Sequence, residues 1–128
     1  MSYYFNKTVD ISFEEAVKRV TEELKKEGFG VLTEIDVAGT LKKKLDVDSR
    51  KYRILGACNP NFAYKALLEE DKIGTMLPCN VIVQQRTDGS VEVAAVDPAA
   101  SMQAVNNEKL GEVASQVQSK LKKVIENI

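Results

Sequence analysis

The sequence contains no histidine, and that absence removes more chemistry than any other feature of its composition. Histidine-dependent triads, imidazole general bases and histidine-ligated metal centres are all excluded within this chain. Cysteine is scarce as well. Cys58 and Cys79 are the only two, too few for a disulfide-stapled secreted scaffold, and they lack the close Cys-x-x-Cys spacing of a zinc or thioredoxin-type site. With only 7 glycines and 3 prolines, collagenous and disordered classes fall away. No apolar run approaches the ~20 residues of a membrane span. The start, Met1-Ser2-Tyr3-Tyr4-Phe5-Asn6-Lys7, lacks the basic segment and apolar core of a secretory signal. Charge is nearly balanced, 18 Lys plus Arg against 19 Asp plus Glu, so nothing global draws the chain toward nucleic acid or an anionic membrane. These absences describe a soluble, cytoplasmic protein with reduced thiols and with neither nucleic acid nor membrane as a partner.

What is present is the composition of an ordinary globular protein, 44% hydrophobic and 29% charged. A length of 128 residues suits one domain over residues 1–128 with one core.

Tyr3 to Val9 is aromatic and β-branched enough for a first strand. Ser12-Phe13-Glu14-Glu15 then forms a capping box that opens a helix. Phe13, Ala16, Val17, Val20 and Leu24 recur at helical steps until Lys25, Lys26 and Gly28 end it. Phe29 to Val37 alternates, which predicts a half-buried strand with Val31, Thr33, Ile35 and Val37 on one face. A short helical turn follows through Leu41 and Leu45, and Lys42-Lys43-Lys44 is read as its solvated side. Tyr52 to Cys58 is nearly continuous and apolar, as a strand covered on both faces would be. Asn59-Pro60 pairs an N-cap residue with proline at the first helical position, and Phe62, Ala63, Ala66 and Leu67 give the stripe of the helix that follows. Cys79 to Gln85 and Val91 to Val96 are strands joined by the tight reversal Asp88-Gly89. Asp97-Pro98 repeats the cap-then-proline device and opens a short helical segment through Met102. Asn107 caps a last helix whose apolar face runs Leu110, Val113, Ala114, Val117, Leu121, Val124 and Ile125. This order predicts an α/β chain of α+β-like character, a two-layer sandwich with a mixed, roughly five-stranded sheet covered by helices.

The sharpest constellation is Cys58-Asn59-Pro60 with Pro78-Cys79-Asn80 and Asp97-Pro98, each at a junction between a strand and a turn or helix, where such sheets build sites. Cys58 stands just before a helix amino terminus, whose free amides favour a thiolate if the sulfur points that way. Adjacent third and fourth strands would let the two sulfurs approach, for a reversible disulfide or as two ligands of a metal. Zinc normally takes four, and the remainder would have to be carboxylates such as Asp97, water or a partner chain. Packing competes at both cysteines, because free cysteine is among the most buried residue types. Asn59 and Asp97 are also explained as caps, whereas Asn80 has no ready structural account. Met76 and Met102 suit either an apolar pocket or core filling.

Four pieces taken together resemble a known family. They are Gly28-Phe29-Gly30-Val31-Leu32-Thr33-Glu34-Ile35-Asp36, Tyr52-Arg53-Ile54-Leu55-Gly56-Ala57-Cys58-Asn59-Pro60, Leu77-Pro78-Cys79-Asn80-Val81, and Asp97-Pro98 with Met102. In this order they are similar to the domain of unknown function 302 family, over nearly the whole chain from Phe5. The resemblance implies a small two-layer α/β protein that forms homodimers, with Cys58, Asn59, Pro60, Pro78, Cys79 and Asn80 as characteristic positions. It implies no reaction and no cofactor.

Three functions are therefore carried forward. The first is a binding or sensing module for a small molecule or metal ion, with Cys58, Asn59, Cys79, Asn80 and Asp97 around the ligand. The second is a thiol enzyme in which Cys58 is the nucleophile or redox group and Cys79 resolves it. The third is a structural or interaction protein that works through an oligomer surface.

Overall fold

A computed structural model describes residues 2–128. In chain order the elements are β1 (Tyr4–Val9), α1 (Phe13–Lys26), β2 (Gly30–Asp36), α2 (Val37–Leu45), β3 (Tyr52–Cys58) and α3 (Pro60–Glu69). A 3₁₀ turn (Asp71–Met76), β4 (Cys79–Gln85), β5 (Val91–Val96), α4 (Pro98–Ser101) and α5 (Glu108–Glu126) complete it. Local chemistry sets the ends. Ser12 Oγ accepts from Glu15 N at 3.2 Å to start α1, and Gly28 at φ 86° terminates it in the left-handed region, where glycine escapes the penalty a Cβ would bring. Asn107 Oδ1 accepts from Lys109 N and Leu110 N to start α5.

The five strands form one sheet in the order β1-β5-β4-β3-β2. Every pairing is antiparallel. The two-layer α+β architecture matches the pattern in the sequence, but the sheet is not mixed. β1 and β2, which a crossover helix joins and which run in the same direction, lie at opposite edges and never pair. The strands that are neighbours in both sequence and space instead reverse direction, β2 to β3 through α2, β3 to β4 through α3 and the 3₁₀ turn, and β4 to β5 through the Asp88-Gly89 turn.

One face of the sheet carries the core. Phe13, Ala16, Val20 and Leu24 of α1 and Val117, Leu121, Val124 and Ile125 of α5 are buried against Leu55, Ala57, Val81, Val83, Val93 and Ala95. A fully buried Leu or Val of this kind stabilises by about 1.5–3 kcal/mol, so the two helical stripes supply much of the fold's free energy. Lys7 of β1 fixes the far end of α5, its Nζ donating to Glu126 O at 3.2 Å and Ile128 O at 2.7 Å. These are terminal carbonyls with no acceptor role left inside the helix.

The other face is open, and β3 is therefore central but covered by helices on one side only. Its continuous apolarity has a different cause. Gly56 faces the open side, and a Cβ there would collide with Thr33 Oγ1 and approach Pro78 Cγ within 2.8 Å, so small residues are required where β2 and the start of β4 close over β3. β2 also departs from simple alternation. A bulge between Val31 and Thr33 leaves Leu32 without a partner. Val31 then sits opposite Ala57 on the helix side, while Thr33 and Ile35 fall opposite Gly56 and Ile54 on the open side, so these three do not share the face that alternation predicts. Val37 has left the strand and begins α2.

Gly56→Ala should lower the unfolding free energy by about 1–3 kcal/mol through overpacking. Gly111→Ala, on an exposed turn of α5 with nothing near its Cβ, should raise it by about 0.5–1 kcal/mol. Urea unfolding of both variants at neutral pH checks the pair, and equal effects would contradict the close approach at Gly56.

Candidate functional site

Antiparallel pairing brings the start of β2, the end of β3, the start of β4 and the end of β5 to one end of the sheet. The connections leaving that end fold over it. α3 and the 3₁₀ turn bridge β3 to β4, α4 follows β5, and α5 runs back across the opening. They border a cavity of about 250 Å³ that is open on one side. Ala57, Cys58 and Asn59 from the end of β3, and Leu77, Pro78 and Cys79 leading into β4, form its floor. Phe62, Ala63 and Ala66 of α3 and Val113, Ala114 and Val117 of α5 form facing walls, with Phe29, Leu32, Pro98 and Met102 around them. Leu32 is 68% exposed and also borders the cavity, which places it at the mouth. The β2 bulge therefore aims a large apolar side chain at the entrance.

Of the residues singled out in the sequence, Cys58, Asn59 and Cys79 border this cavity. Asn80 does not. It lines a separate groove on the open face with Tyr3, Tyr4, Tyr52, Gln84 and Glu92. Asp97 is engaged in structure: its Oδ1 accepts from Ala99 N at 3.0 Å and Ala100 N at 3.4 Å, and Gln118 Nε2 donates to both carboxylate oxygens at 3.0 and 3.2 Å. That pattern caps α4 and ties it to α5, while the next residue, Pro98, reaches the cavity wall. Met102 lines the cavity, whereas Met76 is exposed away from it.

Asn59 occupies the cap position of α3 without capping it by its side chain. Its Nδ2 donates instead to Glu27 O at 3.3 Å, across the chain to the end of α1. Gly28 allows this, because a Cβ there would stand 3.1 Å from Asn59 Nδ2. Asn59 is only 9% exposed, and its Oδ1 has no hydrogen-bond donor among the described residues. It is the one lining residue with a side-chain oxygen or nitrogen.

The two thiols are both free. Cys79 pairs directly with Ala57, so it points toward the helices, and burial followed by the nearby charge of Cys58 pushes its thiol up to about 11. Cys58 is one residue further along β3 and paired with Gly30, so strand alternation starts its side chain from the opposite face. Cβ vectors diverging in this way resist bridging. Among the described residues no group of three or more Cys, Asp or Glu converges as a metal site.

A second polar cluster lies on the open face. Glu92 is 7% exposed. Asn6 Nδ2 donates to it at 2.8 Å, Gln84 Nε2 at 2.7 Å, and Arg86 forms an ion pair with it. Arg50 donates in turn to Gln84 Oε1 at 3.0 and 3.2 Å. Burial alone would raise the Glu92 carboxyl, but the hydrogen bonds and the Arg86 charge outweigh it and hold the group below the usual glutamate range.

The cavity walls were the least visible part in the sequence. Phe62, Ala63, Ala66, Val113, Ala114 and Val117 belong to helical stripes, and nothing in the stripes separates a residue that fills space from one that borders it. The available signal is the run of alanines at Ala57, Ala63, Ala66 and Ala114, whose short side chains converge on one end of the sheet and leave room between them.

A family model described as "Domain of unknown function DUF302" matches residues 5–128. The fold is also similar to the "Crystal structure of uncharacterized conserved protein DUF302 from Bacillus stearothermophilus", at 29% identity and a TM-score of 0.92, with 98% of each chain covered. No curated protein matches the sequence.

Two outcomes follow from the geometry. Alkylation of Cys79 by iodoacetamide at pH 8 should be on the order of a hundredfold slower in the folded protein than in urea, because so little thiolate is present; peptide mapping over time would show equal rates if the thiol were activated. Glu92 has its folded pKa below the unfolded one, so its contribution is fully present above the unfolded value of about 4.3 and is lost as pH falls through the folded value. Urea midpoints between pH 7 and pH 3 should fall less steeply in Glu92→Gln than in the wild type, from a starting stability lower by about 1–3 kcal/mol.

Proposed function

Because the chain belongs to the DUF302 family, whose description names no reaction, we propose a function from the site itself: a cytoplasmic small-molecule binding module whose ligand seats at the sheet end against Cys58, Asn59 and Cys79. The observation that carries this reading is the cavity of about 250 Å³. Protein interiors are close-packed, with few voids larger than a water molecule, and a space of this size between helices approaches the dimensions of ligand pockets. Free thiols suit a reducing compartment. Among the described residues no helix is long and apolar enough to cross a membrane.

Geometry favours this over the other two chemistries of the cysteine pair. A metal would find two thiols and an amide oxygen rather than a closed donor set. A redox enzyme built on Cys58 would need Cys79 to resolve it as a thiolate, and burial holds the proton on Cys79.

The open face supports a further part of the proposal, pairing with a second copy of the chain. Tyr3, Tyr4 and Ile35 are exposed on or beside it, and its Glu92 cluster is satisfied internally, so covering the face strands no carboxylate.

Native mass spectrometry of protein purified without a metal-affinity tag tests these statements together. A retained organic mass should fall by about tenfold or more in Ala66→Phe, which fills the cavity, and persist in Asn80→Ala, which lies outside it. The same retained mass in Ala66→Phe would overturn the cavity as the binding site. A dimer mass in the wild type supports pairing, and a monomer at micromolar concentration opposes it.

A further inference from the structure

Resting on the reading of the cavity as a ligand site, its lining also restricts what the ligand can be. Among the lining residues there is no Lys, Arg, Asp or Glu. Burying an ion there would leave its charge unpaired, at a cost far above that of burying a neutral group. The wall is also polarisable. The rings of Phe29 and Phe62 share it with three sulfur side chains, Cys58, Cys79 and Met102. Ring–ring and sulfur–aromatic contacts each add to simple area burial, and both favour an aromatic guest over an aliphatic one.

Volume narrows the guest further. An apolar cavity of about 150 Å³ accepts benzene. A cavity of about 250 Å³ therefore has room for a second fused ring or a short substituent. One polar feature is on offer. Asn59 is nine-tenths buried and lines the cavity, its Nδ2 is held by Glu27 O, and its Oδ1 is left as an acceptor without a donor. That oxygen keeps some contact with solvent, so a guest that brings an N–H or O–H to it exchanges a water for a direct hydrogen bond, a modest gain.

We propose that the cavity binds a neutral aromatic molecule of one or two fused rings bearing one hydrogen-bond donor, with the donor pairing to Asn59 Oδ1 and the ring lying among the Phe, Met and Cys side chains. Selectivity then has two parts. The rings and sulfurs discriminate aromatic from aliphatic, and the amide oxygen discriminates donor-bearing from donor-free.

Isothermal titration of the full chain with four probes tests this: indole, 1-methylindole, octan-1-ol and indole-3-acetate. Indole should bind most tightly. 1-Methylindole has the same ring without the donor and should bind about tenfold more weakly. Octan-1-ol has a donor but no ring and should also be weaker. Indole-3-acetate brings a charge and should be weaker still, although Lys26, Lys65 and Lys120 line the adjoining groove past Asn59 and Phe62. Ala66→Phe should abolish indole binding, and Ala63→Leu provides a milder filling variant if the first does not fold.

Equal affinity for indole and 1-methylindole overturns the Asn59 pairing. Octan-1-ol binding as tightly as indole overturns the aromatic preference, and tighter binding of the acetate overturns neutrality. In each of these cases loss of that probe in the filled variants leaves the cavity itself standing as the site. Absence of binding by all four overturns the inference, and the retained mass in native spectra then decides the cavity reading separately.

Discussion

Two amphipathic helices, α1 and α5, must bury their apolar stripes, and one face of the sheet accepts both. Val20, Leu24, Leu121 and Val124 are all but fully buried there, and that packing decides what the rest of the chain is free to do. With α1 and α5 packed on that face, α3, the 3₁₀ turn and α4 gather at one sheet end, where the strands they follow finish. They pack against the flank of α5 through Ala66, Ile73 and Leu110, a smaller cluster distinct from the main core. The candidate site lies where these two clusters meet. Val113 touches both and forms part of the cavity wall. The cavity is thus a product of layering: two packed units that share α5 but do not interdigitate completely at their seam.

Most of the fold was legible because its signals were local. Ser12, Asn107 and Asp97 bond the amides their cap positions require, and the strands from Tyr52, Cys79 and Val91 begin where apolar runs begin. What escaped were features set by partners distant in sequence. Strand direction depends on β1 pairing with β5, and no residue in β1 announces that choice. The bulge at Leu32 looks like one more step of alternation until β3 lies beside it. The 3₁₀ turn at Asp71–Met76 has too little periodicity to declare itself.

The site was legible as a location more than as a chemistry. Cys58, Asn59 and Cys79 drew attention through strand-end position, and strand ends do meet there. Asn80 sits one residue beyond Cys79, and the two-residue period of a strand turns that single step into the opposite face of the sheet. Asp97 was legible as a cap and serves as one. Asn59 shows the limit of motif reading most clearly. Its place before Pro60 is that of a capping residue, yet its side chain bonds Glu27 O because Gly28, far off in sequence, brings that carbonyl within reach.

The strand order also bears on how the chain acquires its structure. β1 is the first strand in the chain, yet it sits at the sheet edge hydrogen-bonded to β5, with Tyr4 opposite Val96. Among the described residues it has no other strand neighbour. A chain emerging in order must hold β1 unpaired while β2, β3 and β4 appear, so the antiparallel series β2-β3-β4-β5 can assemble before the first strand docks. Long-range closure of this kind raises contact order and slows folding relative to a helical bundle of the same size. Lys7, which reaches from β1 to the last carbonyls of α5, then acts as a latch between the earliest strand and the latest helix.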